Sequence, residues 1–527
     1  MPTEQYGPAA EKAFFVTTPI YYVNDVPHIG HAYTTVAGDV LTRWHRQKGE
    51  RVVYLTGTDE HGEKILAAAA EHGMSPQEWT DHMVESAWKP MLAALDIAND
   101  DFIRTTSARH EDRVRDFWIA LHEAGQVYKG SYTGSYCVSC EEFKLPSELL
   151  EGGLCPVHDR PVREISEDNY FFPLSTYAER LLEHYETHPE FVQPESARNE
   201  VVSFVRGGLQ DISMSRSSFD WGVPVPWDPS HVIYVWIDAL QNYINAAGWG
   251  TDPERFAATW PADVHLVGKD ILRFHAVIWP AMLMAAGLGL PRTVFANGWL
   301  LVGGEKMSKT KLTGIPPQQI TDHFGSDAYR YYFLRELSFG QDGSFSWESM
   351  AQRYTSELAN DFGNLASRVA AMVVRYRDGV LPDGGDQSIG EEGALASALS
   401  AVAVRADKLF CALDFQGALT AVFDFVKQVN GYVTERAPWV LAKAGDDAAL
   451  DRVLYASAES LRAMAVLLNA VMPRACAKLW ASLGAEPALG LLADQRIDSV
   501  ARWGQLPAEA RVTKGEVLFP RLEEPAS

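Results

Sequence analysis

The sequence predicts an α/β chain with a parallel sheet that is split by an inserted domain and followed by an all-α region. Three observations carry that expectation. Strand–helix–strand alternation opens the chain over residues 14–56 and resumes near 231. Between the two stretches, residues 127–230 change texture to short strands, glycines and a cysteine cluster. From Ala351 onward the apolar spacing is almost wholly helical.

The elements follow in order. Residues 14–18 are rich in apolar and β-branched side chains and read as a strand, with a Pro/Asn/Asp turn region over 19–27. A helical pattern then runs from Ile29 to Gln47 and stops near Gly49, and residues 51–56 form the next strand. Such a βαβ order implies a parallel, right-handed unit. It sets the helix N-terminus at the carboxyl edge of the sheet, where phosphates are met. The runs at 231–235 and 264–267 are expected to supply the second half of the sheet. Residues 276–290 are apolar but short and contain Pro280, so a buried helix is expected rather than a membrane span. A Gly- and Asp-rich break at 378–392 reads as a mobile surface loop, and residues 515–520 are apolar enough to dock back onto the body.

Composition narrows the class. A chain of 527 residues, 47% hydrophobic and 22% charged, suits a globular protein of several domains. The net charge of -23 argues against indiscriminate nucleic-acid binding and leaves room for a local basic groove. Five cysteines are too few for a disulfide scaffold. The first ten residues have neither a basic start nor an apolar core, so no secretory leader, no membrane partner and a cytoplasmic location are expected.

Two strings carry the chemistry. His28-Ile29-Gly30-His31 sits at the head of the first helix, and Lys306-Met307-Ser308-Lys309-Thr310 lies far downstream. Alone, each has a bland reading: helix-start histidines, or solvated loop lysines. Together they suit the adenylation of a carboxylate by ATP, in which negative charge builds on the phosphates and is met by preorganised donors and cations. Asn24 and Gly30 complete the phosphate context. Gly57 to Gly62 has Walker-like spacing but Glu63 where lysine is required, so ATP must be held by the histidine motif instead. Gly303, Gly304 and Gly314 make the lysine loop pliable, Ser308 can brace it, and the lysines can neutralise departing pyrophosphate.

A third cluster reads as metal-binding. Cys137 and Cys140, then Cys155 and His158, form two pairs separated by fourteen residues. Three thiolates and one imidazole complete a tetrahedral Zn2+ set with no open position, hence one structural ion. A redox Cys-x-x-Cys is the alternative, made less apt by the second pair. Cys411 and Cys476 fall in helical apolar contexts and read as buried thiols.

With these motifs in place, the chain resembles class I aminoacyl-tRNA synthetases, and within them the methionyl branch, essentially from end to end. The resemblance is densest at residues 18–24, 55–62, 234–239, 268–271 and 364–368. It implies a Rossmann-like catalytic domain in two halves, 1–126 and 231–325, with a zinc-knuckle connective domain inserted at 127–230. A linker at 326–360 and an all-α anticodon-binding helix bundle at 361–527 follow. It implies that Ile20, Tyr22, Trp236, Tyr243 and His275 shape a methionine pocket and that Asp59 holds the substrate ammonium. These types suit the task, because a thioether favours aromatic contact and a carboxylate gives an ammonium a charge-assisted bond. Gly268 and Asp270 resemble the ribose-contacting turn. Asn364, Arg368, Pro438 and Trp439 match positions that read a CAU anticodon, with Trp439 stacking on its first base.

The implied reaction joins L-methionine to initiator and elongator tRNA(Met) through a methionyl-adenylate, with Mg2+ accompanying ATP and His28, His31, Lys306 and Lys309 as the catalytic groups. Thr310 departs from the commonest Lys-Met-Ser-Lys-Ser string but keeps a hydroxyl. No appended C-terminal tRNA-binding domain is seen, so a monomer is expected. Two rivals remain open at this point. Branched-chain relatives carry a large hydrolytic insertion, for which 127–225 is too short, and a cysteine enzyme would favour a zinc open to its substrate. A nonenzymatic tRNA-binding paralogue would have no need of the intact lysines, histidines and pocket residues.

Overall fold

The structure is a computed structural model that describes residues 12–137, 142–144, 149–156, 159–302, 305–306 and 314–522. The chain divides into two compact units, one of residues 1–27, 52–92 and 98–297, the other of 28–51, 93–97 and 298–527.

The first unit is built on a six-stranded parallel sheet. Its strands are β1 (Phe14–Tyr22), β2 (Val52–Asp59), β3 (Asp101–Arg104), β4 (Val192–Gln193), β5 (Val264–Gly268) and β6 (Thr293–Asn297), in the order β3-β2-β1-β5-β6-β4. The central strands are buried along most of their length, as a sheet covered on both faces requires. Chain order reverses between β1 and β5, so ligands are favoured at the carboxyl ends of these two strands.

Two expectations need correction. β1 does not stop at residue 18. Its register shifts between Thr17 and Ile20, where Pro19 cannot donate to the ladder, and pairing resumes as Ile20–Gly57, Tyr21–Thr58 and Tyr22–Asp59. Second, the run at 231–235 is not part of the main sheet. The strand Asp228–Ile233 pairs antiparallel with 215–216 and 224–225, and the chain turns into the helix Val235–Leu240 at Tyr234. The sheet edge is instead filled by β4, which falls within 127–230. The run at 276–290 is a buried helix as expected: a π-helical turn, Phe274–Ile278, leads into the helix Trp279–Ala285, where Trp279, Met282 and Leu283 are fully buried. The remainder of the 127–230 stretch is led by a long antiparallel pair, Tyr128–Cys137 against Arg163–Phe172.

The second unit is mainly helical. Its principal helices are Ile29–Gln47, Ser326–Glu336, Asn364–Arg377, Gly390–Cys411, Phe415–Arg436, Asp447–Leu468 and Pro473–Ser482. The first of these carries the histidine motif and is anchored within this unit. Trp44 Nε1 donates to Asp407 (2.9 Å), and its ring lies 4.1 Å from that of Phe410. Asp39 and Arg330 form an ion pair with no exposure on either side. The Gly/Asp-rich break is partly pinned, not a mobile loop throughout. Val512 donates to Gly379, Leu381 donates to Ala510, and Leu381 is buried. The tail docks as expected, with Phe519 buried and Tyr354 donating to the Pro520 carbonyl. Cys476 is buried, but Cys411 is exposed and accepts from Lys48 Nζ at 3.2 Å, because its helix ends there. Among the described residues, no helix is long and apolar enough to cross a membrane.

Candidate active site

In the first unit Ile20, Tyr22 and Asp59 lie at the carboxyl ends of β1 and β2, and Trp236, Tyr243 and His275 lie on helical segments of the same unit. Tyr22 and Asp59 are register partners on β1 and β2, two residues beyond the Ile20–Gly57 pair. Gly57 is required for the close approach of β2 to β3: a Cβ there would lie 2.0 Å from the Ile103 carbonyl. Tyr22 and Asp59 remain only partly covered or nearly buried, and Lys64 Nζ lies 5.1 Å above the Tyr22 ring. Trp236, in the helix Val235–Leu240, stacks on Phe274 at 4.0 Å. The next residue, His275, meets Tyr243 from the helix Asn242–Ala247.

That last contact fixes a tautomer. His275 Nδ1–H donates to the Ile271 carbonyl (3.0 Å), which leaves Nε2 to accept from the Tyr243 hydroxyl at 2.8 Å. Burial pulls the His275 pKa down to about 4, against the pull of that carbonyl, so the ring is neutral near neutral pH. The Tyr243–His275 pair is therefore aromatic and uncharged.

Asp59 is held from behind by its neighbour. Glu60 has no exposed surface and accepts from Arg104 through two nitrogens (2.7 and 2.8 Å), from Thr58 and from Thr106. Its own N–H donates to Thr105, and its carbonyl accepts from Trp221 Nε1. One residue on, His61 Nδ1 donates to Asp238 at 2.6 Å, while His110 Nε2 donates to the other Asp238 oxygen at 2.8 Å. Burial alone would raise the Asp238 carboxyl; the two imidazoles overcome it and hold the pKa at about 2. Sequence reasoning missed this network. Both members of its main contact lie inside segments singled out by motif, His61 two residues after Asp59 and Asp238 two after Trp236, but nothing in the sequence pairs them.

Gly268 ends β5 and leads into the turn Lys269–Ile271. A Cβ on Gly268 would sit 2.5 Å from Asp270 Oδ1, so the glycine leaves room for the exposed Asp270 carboxylate. Asn24 also belongs to this unit, just beyond β1, where Val23 N–H donates to the Asp59 carbonyl and the Val23 carbonyl accepts from Trp79 Nε1.

The histidine motif belongs to the second unit. His28 is the N-cap of the helix Ile29–Gln47. Its Nδ1 accepts from Gly30 N–H (3.1 Å), and His31 Nδ1 accepts from His28 N–H (3.2 Å). The two rings stack at 3.8 Å. Because both Nδ1 atoms are acceptors, each neutral ring carries its proton on Nε2, as a donor. Burial, then the neighbouring His28, push the His31 pKa well below its ordinary value. Nε2–H donors at a helix N-terminus can meet an anion.

Lys306 lies on the strand Glu305–Lys306, paired with Leu301. Met307, Ser308 and Lys309 lie outside the described residues, as do Cys140 and His158. The other two sulfur candidates are buried: Cys137 ends its strand, and Cys155 starts a turn closed by Asp159 N–H donating back to its carbonyl. Among the described residues no cluster of three His, Cys, Asp or Glu side chains could hold a metal. In the helical part, Asn364 and Arg368 share one face of the helix Asn364–Arg377, Asn364 exposed and Arg368 half-buried. Pro438 is buried at the first turn of the helix Pro438–Ala444, and beside it Trp439 is 44% exposed.

Comparison with known proteins agrees over the whole chain. The family described as tRNA synthetases class I (M) matches residues 14–370, and the anticodon binding domain of methionyl tRNA ligase matches 381–526. A methionine–tRNA ligase of Streptomyces coelicolor is 64% identical over 99% of this chain and 98% of its own length. One from Caldanaerobacter subterraneus is 48% identical over 97% of this chain and 79% of its own. The solved structure of Mycobacterium tuberculosis methionyl-tRNA synthetase in complex with methionyl-adenylate superposes with a TM-score of 0.92 at 41% identity, covering 97% of this chain and all of that one. Matches of this extent, across both the sheet and the helical region, make the chain a member of the methionyl-tRNA synthetase family of class I aminoacyl-tRNA synthetases.

Proposed function

We propose that this chain charges tRNA(Met) with L-methionine in the cytoplasm, in two steps. The methionine carboxylate attacks the α-phosphorus of ATP, giving methionyl-adenylate and pyrophosphate; the terminal ribose hydroxyl of the tRNA then attacks the adenylate carbonyl and releases AMP. The observation that carries this reading is the joint match of a class I catalytic region and a methionyl anticodon-binding region along one chain.

The residues divide the work. Asp59 accepts the substrate ammonium, and Ile20, Tyr22, Trp236, Tyr243 and His275 surround the side chain. The neutral Tyr243–His275 pair supports a thioether over a charged or strongly polar group. Asn24, Gly30, Gly268 and Asp270 hold the nucleotide, Asp270 offering acceptors to the ribose hydroxyls. His28 and His31 donate through Nε2 to the phosphates, and Lys306 and Lys309, with Met307 and Ser308 shaping their loop, neutralise the leaving pyrophosphate. Mg2+ carried with ATP supplies further charge neutralisation on the phosphates. Exposed Trp439 and Asn364, with half-buried Arg368, meet the anticodon, and buried Pro438 sets the start of the helix that carries Trp439.

Cys137, Cys140, Cys155 and His158 would hold one Zn2+ that cross-links the inserted stretch. The two described members are buried thiols, a donor type that fits zinc. Four protein donors leave no open position, so the ion supplies stability and takes no part in the reaction. Chelation is expected to lower the melting temperature before any effect on methionine KM appears.

The deciding experiment is ATP–pyrophosphate exchange driven by each of the twenty amino acids in the absence of tRNA. Exchange with methionine alone supports the reading. Exchange with a different amino acid overturns the pocket assignment, and none from folded, zinc-loaded protein overturns the enzymatic function.

A further inference from the structure

The Asp59 strand end and the Trp236 helix are far apart in sequence, and a single buried carboxylate joins them. Asp238 lies two residues after Trp236, and its two oxygens are each engaged by a different imidazole: His61 Nδ1 at 2.6 Å and His110 Nε2 at 2.8 Å. His61 stands two residues after Asp59, and His110 belongs to the helix Ala108–Glu123. All three side chains are essentially without exposure. Asn245 Nδ2 donates to His110 Nδ1 (3.2 Å), fixing its tautomer so that Nε2–H faces the carboxylate. His61 in turn packs edge-on against Trp221, with Glu111 3.9 Å away.

We propose that Asp238 is a positioning residue for methionine recognition, its carboxylate locking the strand end that bears Asp59 onto the helix that bears Trp236. The proposal rests on the reading of Asp59 as the ammonium acceptor. A buried anion gripped by two charge-assisted donors resists displacement more than an apolar contact does, because any movement leaves a charge unpaired. Burial alone would lower the His61 pKa, but Asp238 first and then Glu111 and Glu60 raise it, so the grip is strongest with His61 protonated. Asp238 touches neither substrate nor reacting atoms in this scheme. It acts through the separation of Asp59 and Trp236, which sets how well one ligand can fill both contacts.

The test is ATP–pyrophosphate exchange on the full chain with Asp238→Asn. The amide keeps the size but offers only one acceptor oxygen, and its NH2 opposes the second imidazole N–H. The methionine KM is expected to rise roughly tenfold or more, with kcat and the ATP KM within about twofold of the parent, the pattern of lost uniform binding. A merely structural role gives the opposite split: a lower kcat from a smaller active fraction at unchanged KM.

His61 supplies the rescue arm. His61→Asn places an amide N–H near the position of Nδ1 and is expected to keep most of the methionine affinity, whereas His61→Leu loses it. A folded Asp238→Asn protein with unchanged methionine KM overturns the proposal. If that variant does not fold, equal methionine KM values for His61→Asn and His61→Leu overturn it. Asp59→Asn separates the underlying reading: if its methionine KM is unchanged, the ammonium assignment itself fails. If it is raised while that of Asp238→Asn is not, only the positioning role falls.

Discussion

Replacing Arg330 by methionine removes four hydrogen bonds inside the second unit. The guanidinium donates to Asp39 Oδ2 (2.6 Å) and to the carbonyls of Ala470 (2.7 Å), Val471 (2.8 Å) and Leu95 (3.0 Å). Neither Arg330 nor Asp39 has exposed side-chain surface. Methionine fills much of the space, so the loss is chiefly polar. Asp39 retains Arg43 at 2.6 Å, which moderates the abandoned charge, but three carbonyls lose a donor. Breaking a buried pair from one side costs about 3–5 kcal/mol. For a unit of this size that lowers the melting temperature by about 10 °C. Differential scanning calorimetry of the variant, of Asp39→Ala and of the double substitution closes a thermodynamic cycle. A coupling of about 2–3 kcal/mol is expected, because the double variant no longer buries an unpaired charge. An unchanged melting temperature, or single effects that simply add, would refute the reasoning.

Four further outcomes are expected. Trp439→Ala removes a stacking surface and should lower kcat/KM for tRNA by roughly tenfold to a hundredfold, without moving the methionine KM in exchange. Gly57→Ala forces a Cβ against the Ile103 carbonyl, so β2 and β3 must part; a cost of about 1–3 kcal/mol and a raised methionine KM should appear together in melting and exchange assays. Acidification should destabilise the first unit through His275. Its native pKa of about 4 lies below that of the unfolded chain, so its contribution is complete above about pH 6.5 and is lost as pH falls toward 4, an effect of about 3 kcal/mol readable in the pH dependence of unfolding. His61 works in the opposite sense, its contribution being lost as pH rises through its raised pKa.

Local pattern was enough to read much of this molecule. The helix Ile29–Gln47 appears at its expected bounds because its apolar spacing and its histidine cap agree. The break after Arg377 is likewise where glycine and aspartate cluster. What failed was pairing. Residues 228–233 have the composition of a core strand, yet their hydrogen bonds go antiparallel to neighbours only a few residues away, and composition does not encode a partner. β1 ran on past Pro19 because a register shift accommodates a residue that local rules treat as a stop. In the site, motif matching singled out Asp59, Trp236 and His275. It could not find the Asp238 grip, because a buried carboxylate and the imidazoles it joins are separated by 177 and 128 residues.

The polypeptide passes from one compact unit to the other at residues 27–28, 51–52, 92–93, 97–98 and 297–298. Dissection is therefore constrained in a way that a domain diagram hides. A fragment ending at Asn297 would retain the helix Ile29–Gln47 but lack Arg330, Asp407 and Phe410, stranding Asp39 and Trp44 without their companions. The complementary fragment would lack the His28 and His31 imidazoles altogether. Neither half is heritable as a self-sufficient module, and gene fusion or recombination at that junction should yield insoluble product rather than a minimal adenylating enzyme.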